Sequence, residues 1–404
     1  MLKAYKYRIY PNTEQENRFN QHFGCARWVY NWALNRKQEH YKKTKKSKSK
    51  RELQDELVHL KKTEDYKWLN DVNSQTLLSS LLHLHTAFTN FFHKRAKFPK
   101  FKKKYSARQK YQCPQHVVID FENELIHLPK IKNVKAKLHR NFSGKIKTCT
   151  IERTVTNKYF VSVLVETLAK EPIKSTAEPE LTIGIDLGVK ELLTTNEGLQ
   201  VQNYKYLQKG EKKLKKLQRR LSKKENKSAN RGKARRLLAK AHERIANQRL
   251  NLLHQISSHL VYKNQATSIA IEDLHVKGMM KNHKLSKAIG DCSWGMLLRQ
   301  LEYKTNWSGK NLIKIDRWFP SSKTCSNCGT VKDELSLSER VYCCATCSIK
   351  IDRDVNAAIN IKNVALQQIG LECPESKLVD HALTGVGLSN LVIHGMKQEA
   401  ATRA

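Results

Sequence analysis

Late in the chain, Cys325-x2-Cys328 is followed after 15 residues by Cys344-x2-Cys347. Two chelating pairs supply four thiolates, which suits the tetrahedral preference of zinc, and a closed four-sulfur shell leaves no open position for catalysis. The expectation is one structural Zn2+, with a redox role for the pairs as the weaker alternative. Gly329 suits a tight turn after the first pair. Cys343 could stand in for Cys344, although the C-x2-C spacing favours Cys344. Cys25, Cys113, Cys149, Cys292 and Cys373 are scattered and read as small buried hydrophobes.

Three carboxylates stand out by their surroundings. Asp186 closes the apolar run in IGIDLG, Glu272 closes that in IAIEDL, and Asp354 lies in IDRDVNAAINI before a short helical pattern. A carboxylate buried beside an apolar strand is costly unless a cation or hydrogen-bond donors attend it. Singly, each reads more readily as a cap or a salt-bridge partner. Converging, the three would hold two Mg2+, which take oxygen ligands and retain waters. Such a pair activates a water and steadies the leaving oxygen of a phosphodiester. His83-Leu84-His85 has the His-x-His form of a transposase metal site that works with a Tyr nucleophile. It falls in a helical stretch, where i and i+2 side chains diverge by about 200° and cannot share a metal.

These residues need elements to hold them. Residues 2–10 alternate, with Tyr5, Tyr7 and Ile9 opposite Lys6 and Arg8, which predicts a half-buried strand ended by Pro11. Thr13 and Glu16 have capping-box spacing, and Phe19, Phe23, Ala26 and Tyr30 continue at helical intervals. The run 41–51 is too charged to pack and reads as a solvated loop or helix extension. A second helix covers about 74–95, and strands return from about 115 to 168. Residues 170–180, with two Pro, mark a boundary. Beyond it, 182–198 reads as strand, tight turn and strand, and 268–276 as a buried strand.

The chain has 404 residues with 75 Lys+Arg against 37 Asp+Glu, a formal charge of +38. That excess points to a polyanionic partner, most economically nucleic acid. No window approaches a membrane span, and the N-terminus lacks a secretory apolar core, so the expectation is a cytoplasmic protein without a membrane partner. In 97–111, Phe98, Phe101, Tyr105 and Tyr111 interleave with Lys and Arg, which suits base stacking beside phosphate contacts. A basic loop pinned by its aromatics is equally consistent. The candidates there are Lys97, Lys100, Phe101, Lys102, Lys103 and Tyr105. Residues 204–250 carry 18 Lys/Arg against three Glu, with Leu214, Leu217 and Leu221 on one face. This is a basic amphipathic helix or helical pair, with Lys212, Lys216, Arg219, Arg220, Arg235 and Arg236 as candidate phosphate contacts.

IGIDLG, IAIEDL, FPSSKTCSNCG and DRDVNAAINI occur in that order after KAYKYRIYPN and FGCARWVYNWAL. Over about residues 1–363 the chain closely resembles the TnpB family, insertion-sequence proteins long labelled transposases and relatives of type V CRISPR effectors. The resemblance implies an α+β multidomain chain. Residues 1–180 would form a β-barrel (wedge) domain with a helical recognition insertion at about 12–110. Residues 181–363 would form an RNase H-like (RuvC) α/β nuclease domain, with basic helices at 204–250 and a zinc ribbon at 321–350. Residues 364–404 match nothing and read as a flexible tail. The resemblance also implies Asp186, Glu272 and Asp354 as metal-binding acids, with Asp352 a neighbour of open role. The second knuckle departs from the family's CPxCG, reading Cys344-Ala345-Thr346-Cys347-Ser348.

The function implied is an RNA-guided, Mg2+-dependent DNA endonuclease of a transposable element. It would use a guide RNA from the transposon end on double-stranded DNA beside a short flanking motif, as a monomer or weak dimer. Two rivals stand beside it: a guide-dependent DNA-binding regulator without cleavage, which the retained acids disfavour, and a strand-transfer transposase, which no Tyr-plus-His-x-His site supports.

Overall fold

The computed structural model describes residues 1–104, 108–336 and 338–372. The chain divides into two compact units, the first spanning Met1–Lys170 and the second beginning at Glu171.

In the first unit, β1 (Leu2–Tyr10) leads into α1 (Thr13–Thr44), α2 (Lys50–Leu60), a 3-10 turn at Glu64–Asp71 and α3 (Ser74–Phe92). The strands β2 (Arg108–Cys113), β3 (Val118–Asp120), β4 (Leu125–Leu128), β5 (Ile131–Lys137), β6 (Gly144–Thr154) and β7 (Tyr159–Thr167) follow. β1 buries Tyr7 and Ile9 as its alternation predicts. The cap of α1 sits one residue earlier than expected, on Asn12, whose side chain accepts from Gln15 N while the Gln15 side chain accepts from Asn12 N. Helix α1 itself extends to Thr44, so the basic run begins as helix, crosses a loop at 45–49 and ends in the first turn of α2.

The strands form one antiparallel sheet in the order β2-β6-β7-β1-β5-β4-β3. This corrects the expected barrel: among the described residues the end strands β2 and β3 share no ladder. β3 has only three residues, and Pro114, between the two, has no N–H to donate. One apolar cluster nonetheless collects Tyr111 and Cys113 of β2, Val117 next to β3, and Tyr7, Val161 and Val163 of the central strands.

The second unit contains β8 (Thr182–Asp186), β9 (Glu191–Thr195), β10 (Gln200–Gln202), α4 (Tyr206–Ser222), α5 (Ala229–Ser258), β11 (Ser268–Glu272), α6 (Val276–Met279), α7 (Ser286–Cys292), α8 (Trp294–Ser308), β12 (Asn311–Ile315), β13 (Val341–Cys343), β14 (Lys350–Asp352) and α9 (Arg353–Gln368). Its sheet runs β10-β9-β8-β11-β12, with β8, β11 and β12 parallel and β9 and β10 antiparallel. The proline-containing boundary segment belongs to this unit, since Ser175 N donates to Gly309 O and Asn311 Nδ2 to Ser175 O.

Alternation assigns the two faces of this sheet. Ile183, Ile185, Ile269 and Ile271 join Leu252, Leu253 and Ile256 of α5 and Leu297 and Leu301 of α8 in one core. The opposite face carries Gly184 and Ala270, and there α9 lies directly on the strands, with Ile361 and Ala365 against Ala270 and Ile315. A Cβ on Gly184 would stand 2.0 Å from Ala358 O and 2.9 Å from Lys362 Cβ, so only glycine permits this approach. Helix α9 also corrects the expected tail: Ala365 and Leu366 are fully buried, and packing carries the helix through 364–368. The rest of that expectation, including Cys373, lies outside the described residues.

Gly184→Ala should therefore push α9 off the sheet and cost about 2–3 kcal/mol by overpacking. Gly232→Ala, within α5 and with nothing within 4 Å of the added Cβ, should be neutral or stabilise by up to about 1 kcal/mol. Urea midpoints of the two variants check this pair of outcomes.

Candidate active site

The sequences TIGID and SIAIE occupy adjacent parallel strands in register, Ile183 beside Ile269, Gly184 beside Ala270 and Ile185 beside Ile271. Side chains alternate along a strand. Asp186 therefore shares the face of Gly184, Glu272 shares the face of Ala270, and both face α9. Asp354 lies in the first turn of that helix. Three remote acids are thereby brought to one end of one sheet face.

The electrostatics reflect the gathering. Burial, followed by the charges of Glu272 and Asp354, pushes the Asp186 carboxyl up to about 7, against the opposing pull of Arg353 and the Leu187 N–H. Burial also raises Glu272, opposed by the Ser321 hydroxyl, which donates to Glu272 Oε1 at 2.6 Å. Partly desolvated carboxylates repelling one another with one guanidinium nearby make a donor set that fits divalent cations with oxygen preference. Asp352 is not part of it: it is exposed and caps α9, accepting from Asp354 N and Val355 N.

Three polar residues that sequence reasoning passed over brace the acids. Asn360 Nδ2 donates to Ser321 O and Thr324 O, Asn356 Nδ2 donates to Thr324 O, and Asn356 Oδ1 accepts from Ser326 N. Both asparagines are buried and on α9. They staple the segment bearing Ser321 and the first Cys pair to the helix bearing Asp354. The signal was the polar content of two otherwise distinctive blocks, FPSSKTCSNCG and DRDVNAAINI.

The sulfurs of Cys325, Cys328, Cys344 and Cys347 all lie within 4.8 Å of one another, with Cys325–Cys347 and Cys328–Cys344 both at 3.6 Å. Zn–S bonds of about 2.3 Å place tetrahedral sulfurs about 3.8 Å apart, so the thiols fit zinc. Among the described residues this is the one group of three or more metal-type donors so tightly gathered. Cys343 is exposed on β13 and outside it. The two knuckles repeat one turn: Gly329 N donates to Cys325 O and Ser348 N to Cys344 O, while Cys325 N and Cys344 N donate to Thr330 O and Ile349 O. Gly329 has φ +74°, and Ser348 takes φ +59°, a left-handed conformation that disfavours a side chain.

Lys212, Lys216, Arg219, Arg220, Arg235 and Arg236 are all exposed on the antiparallel pair α4 and α5. Arg231 closes the turn between these helices by donating to Leu221 O and Lys224 O. Buried Asp291 of α7 caps α4, accepting from Leu207 N and Gln208 N, with Arg249 of α5 at 3.9 Å. In the first unit, Lys97, Lys100, Phe101 and Lys103 are exposed, and Tyr105 lies outside the described residues. Lys102 is tied down: its backbone pairs with the Asn31 side chain in both directions, and its ammonium lies 3.9 Å over the Tyr30 ring. His83 and His85 sit on α3, and His83 Nε2 pairs with Gln112 Oε1.

Three family models match the chain: "Probable transposase" over residues 161–283, "Cas12f1-like, TNB domain" over 294–361, and "Helix-turn-helix domain" over 1–46. In this chain the last range holds one strand and one continuous helix. A protein of Streptomyces pristinaespiralis named "Putative RNA-guided DNA endonuclease" is 38% identical over 362 residues, covering 89% of this chain and 88% of its own. "Putative RNA-guided DNA endonuclease InsQ" of Escherichia coli K12 is 33% identical over 375 residues, covering 89% and 91%. Among solved structures, the protein of a Cas12f1–sgRNA–target DNA complex shares the fold at TM-score 0.53 and 16% identity, over 90% of this chain and 99% of that one. No helix among the described residues is long and apolar enough to cross a membrane.

The raised pKa of Asp186 has a stability consequence. Its carboxyl holds its proton more tightly folded than unfolded, so without divalent cation stability should fall as pH rises from about 4 to about 7, then level off. Urea unfolding of metal-free protein at about pH 5 and about pH 8 measures the decline. Asp186→Asn should remove much of it and outlast the parent at the higher pH, whereas parallel profiles would contradict the burial of a repelled carboxylate.

Proposed function

The chain belongs to the TnpB family of RNA-guided DNA endonucleases, and from that premise we propose that it cuts guide-selected DNA at Asp186, Glu272 and Asp354. The observation that carries this reading is the in-register pairing of the two acid-terminated strands beneath the helix that bears the third acid. The sheet order, three parallel strands flanked by an antiparallel pair, supports an RNase H-like nuclease domain.

The three carboxylates hold divalent cations, Mg2+ by their oxygen chemistry, and two by the number of acids available. Cations bound there would supply an activated water and stabilisation of the oxygen that leaves the phosphodiester. The chain's own part is positional. Asp186 and Glu272 are fixed by strands buried in the core, Glu272 is turned by the Ser321 hydroxyl, and Asp354 is set by the α9 contact at Gly184. The four thiolates hold a structural Zn2+ that folds the 321–350 segment, and the α9 asparagines tie that segment to the acids.

The partners are a guide RNA derived from the transposon end and a double-stranded DNA target beside a short flanking motif. Base pairing with the guide reads sequence, leaving the protein to hold backbones. The exposed cations of α4 and α5 suit that task, as do Lys97, Lys100, Phe101 and Lys103.

Protein co-expressed with its flanking transposon DNA, given Mg2+ and a plasmid library with a guide-matched target beside a randomised flank, tests the proposal. Cutting of a flank-defined subset, abolished by Asp186→Ala, is the expected result. Guide-dependent retention of target without cutting would replace it with a binding regulator.

A further inference from the structure

Trp318 is 84% exposed, the most exposed tryptophan or tyrosine among the described residues. Exposure of so large an apolar surface is unusual for a side chain on an ordered loop, and the loop bearing it is clamped on every side. Asp316 Oδ1 accepts from Trp318 N, and Asp316 O from Phe319 N. Arg317 pairs with Asp273, the residue after Glu272, and Asp273 N donates to Ile315 O. Phe319 packs inward against the cluster of Ile315, Ile361 and Ala365 beneath α9. Ser321 ends the loop on Glu272 itself.

Residues 317 and 321, on either side of the indole, thus touch residues 273 and 272. Trp318 is held out to solvent at the rim of the acid site by a loop whose other side chains are committed. We propose that Trp318 is a stacking platform for a base of the single DNA strand delivered to Asp186, Glu272 and Asp354. A flat aromatic face accepts any base, as an enzyme directed by a guide requires, and base–aromatic stacking contributes about 1–3 kcal/mol per base. The chain's +38 charge favours a polyanionic occupant over an apolar protein partner.

This inference rests on the nuclease reading, and the test separates the two. Guide-loaded protein carrying Trp318→Ala should cut a matched target about 5- to 150-fold more slowly in single turnover, the rate equivalent of that stacking energy. Trp318→Phe should stay within a few-fold of the parent. Affinity for the target, measured in an Asp186→Ala background, and the unfolding midpoint should both be unchanged, since a merely structural residue would move the midpoint. In the same Asp186→Ala background, a 5-iododeoxyuridine-substituted single strand should photo-crosslink to Trp318 by peptide mapping. Cleavage by Trp318→Ala at the parental rate, or crosslinks that avoid residue 318, would overturn the stacking platform. A parent that cuts nothing while the crosslink to Trp318 persists would overturn the nuclease reading and leave the platform standing.

Discussion

Everything at the candidate centre depends on how closely α9 approaches β8. The carbonyl of Ala358 occupies space that any side chain at position 184 would need. That contact sets the height of the helix above the sheet and hence the place of Asp354 over the strand ends. Ala270, the register partner of Gly184, keeps the neighbouring strand equally low. The isoleucines that alternate with these two small residues build the opposite core, so one pattern serves both faces.

The arrangement holds charge where the fold alone would not choose it. Desolvation and mutual repulsion drive Asp186 far above the ordinary carboxylate range, and Arg353 offsets only part of this. Carboxylates so crowded and desolvated would be relieved by divalent cations, and the Ser321 hydroxyl keeps Glu272 from turning away. Asn356 and Asn360 make the four-cysteine segment a brace of the same centre, because one helix carries both the staples and Asp354. The left-handed Ser348 shows that the second knuckle keeps its geometry without the glycine found in relatives' patterns.

Much of this was legible in the sequence where a local pattern determines a local outcome. The C-x2-C pairs chose Cys344 over Cys343 by spacing, and the structure gathers the same four sulfurs. Asp186 and Glu272 were visible as polar ends of apolar strands, Asp354 as an acid before a helical pattern, and α4 and α5 as a one-sidedly basic pair. What escaped depends on distant chain. β2 is polar, and becomes a strand only through pairing with β6. The open sheet where a barrel was expected turns on Pro114 and three residues of β3. Ser321, Asn356 and Asn360 look like ordinary polar residues until the fold aims them at buried carbonyls and a carboxylate. Asp352, whose role the sequence left open, is a helix cap.

The central claim is that three acids from two strands and one helix form a single cation centre. Anomalous diffraction from crystals of the guide-loaded protein soaked in Mn2+ tests it most directly. The account predicts manganese bound among the carboxylates of Asp186, Glu272 and Asp354, with Ser321 still donating to Glu272. Manganese bound elsewhere, with the three carboxylates apart and solvated, would contradict it.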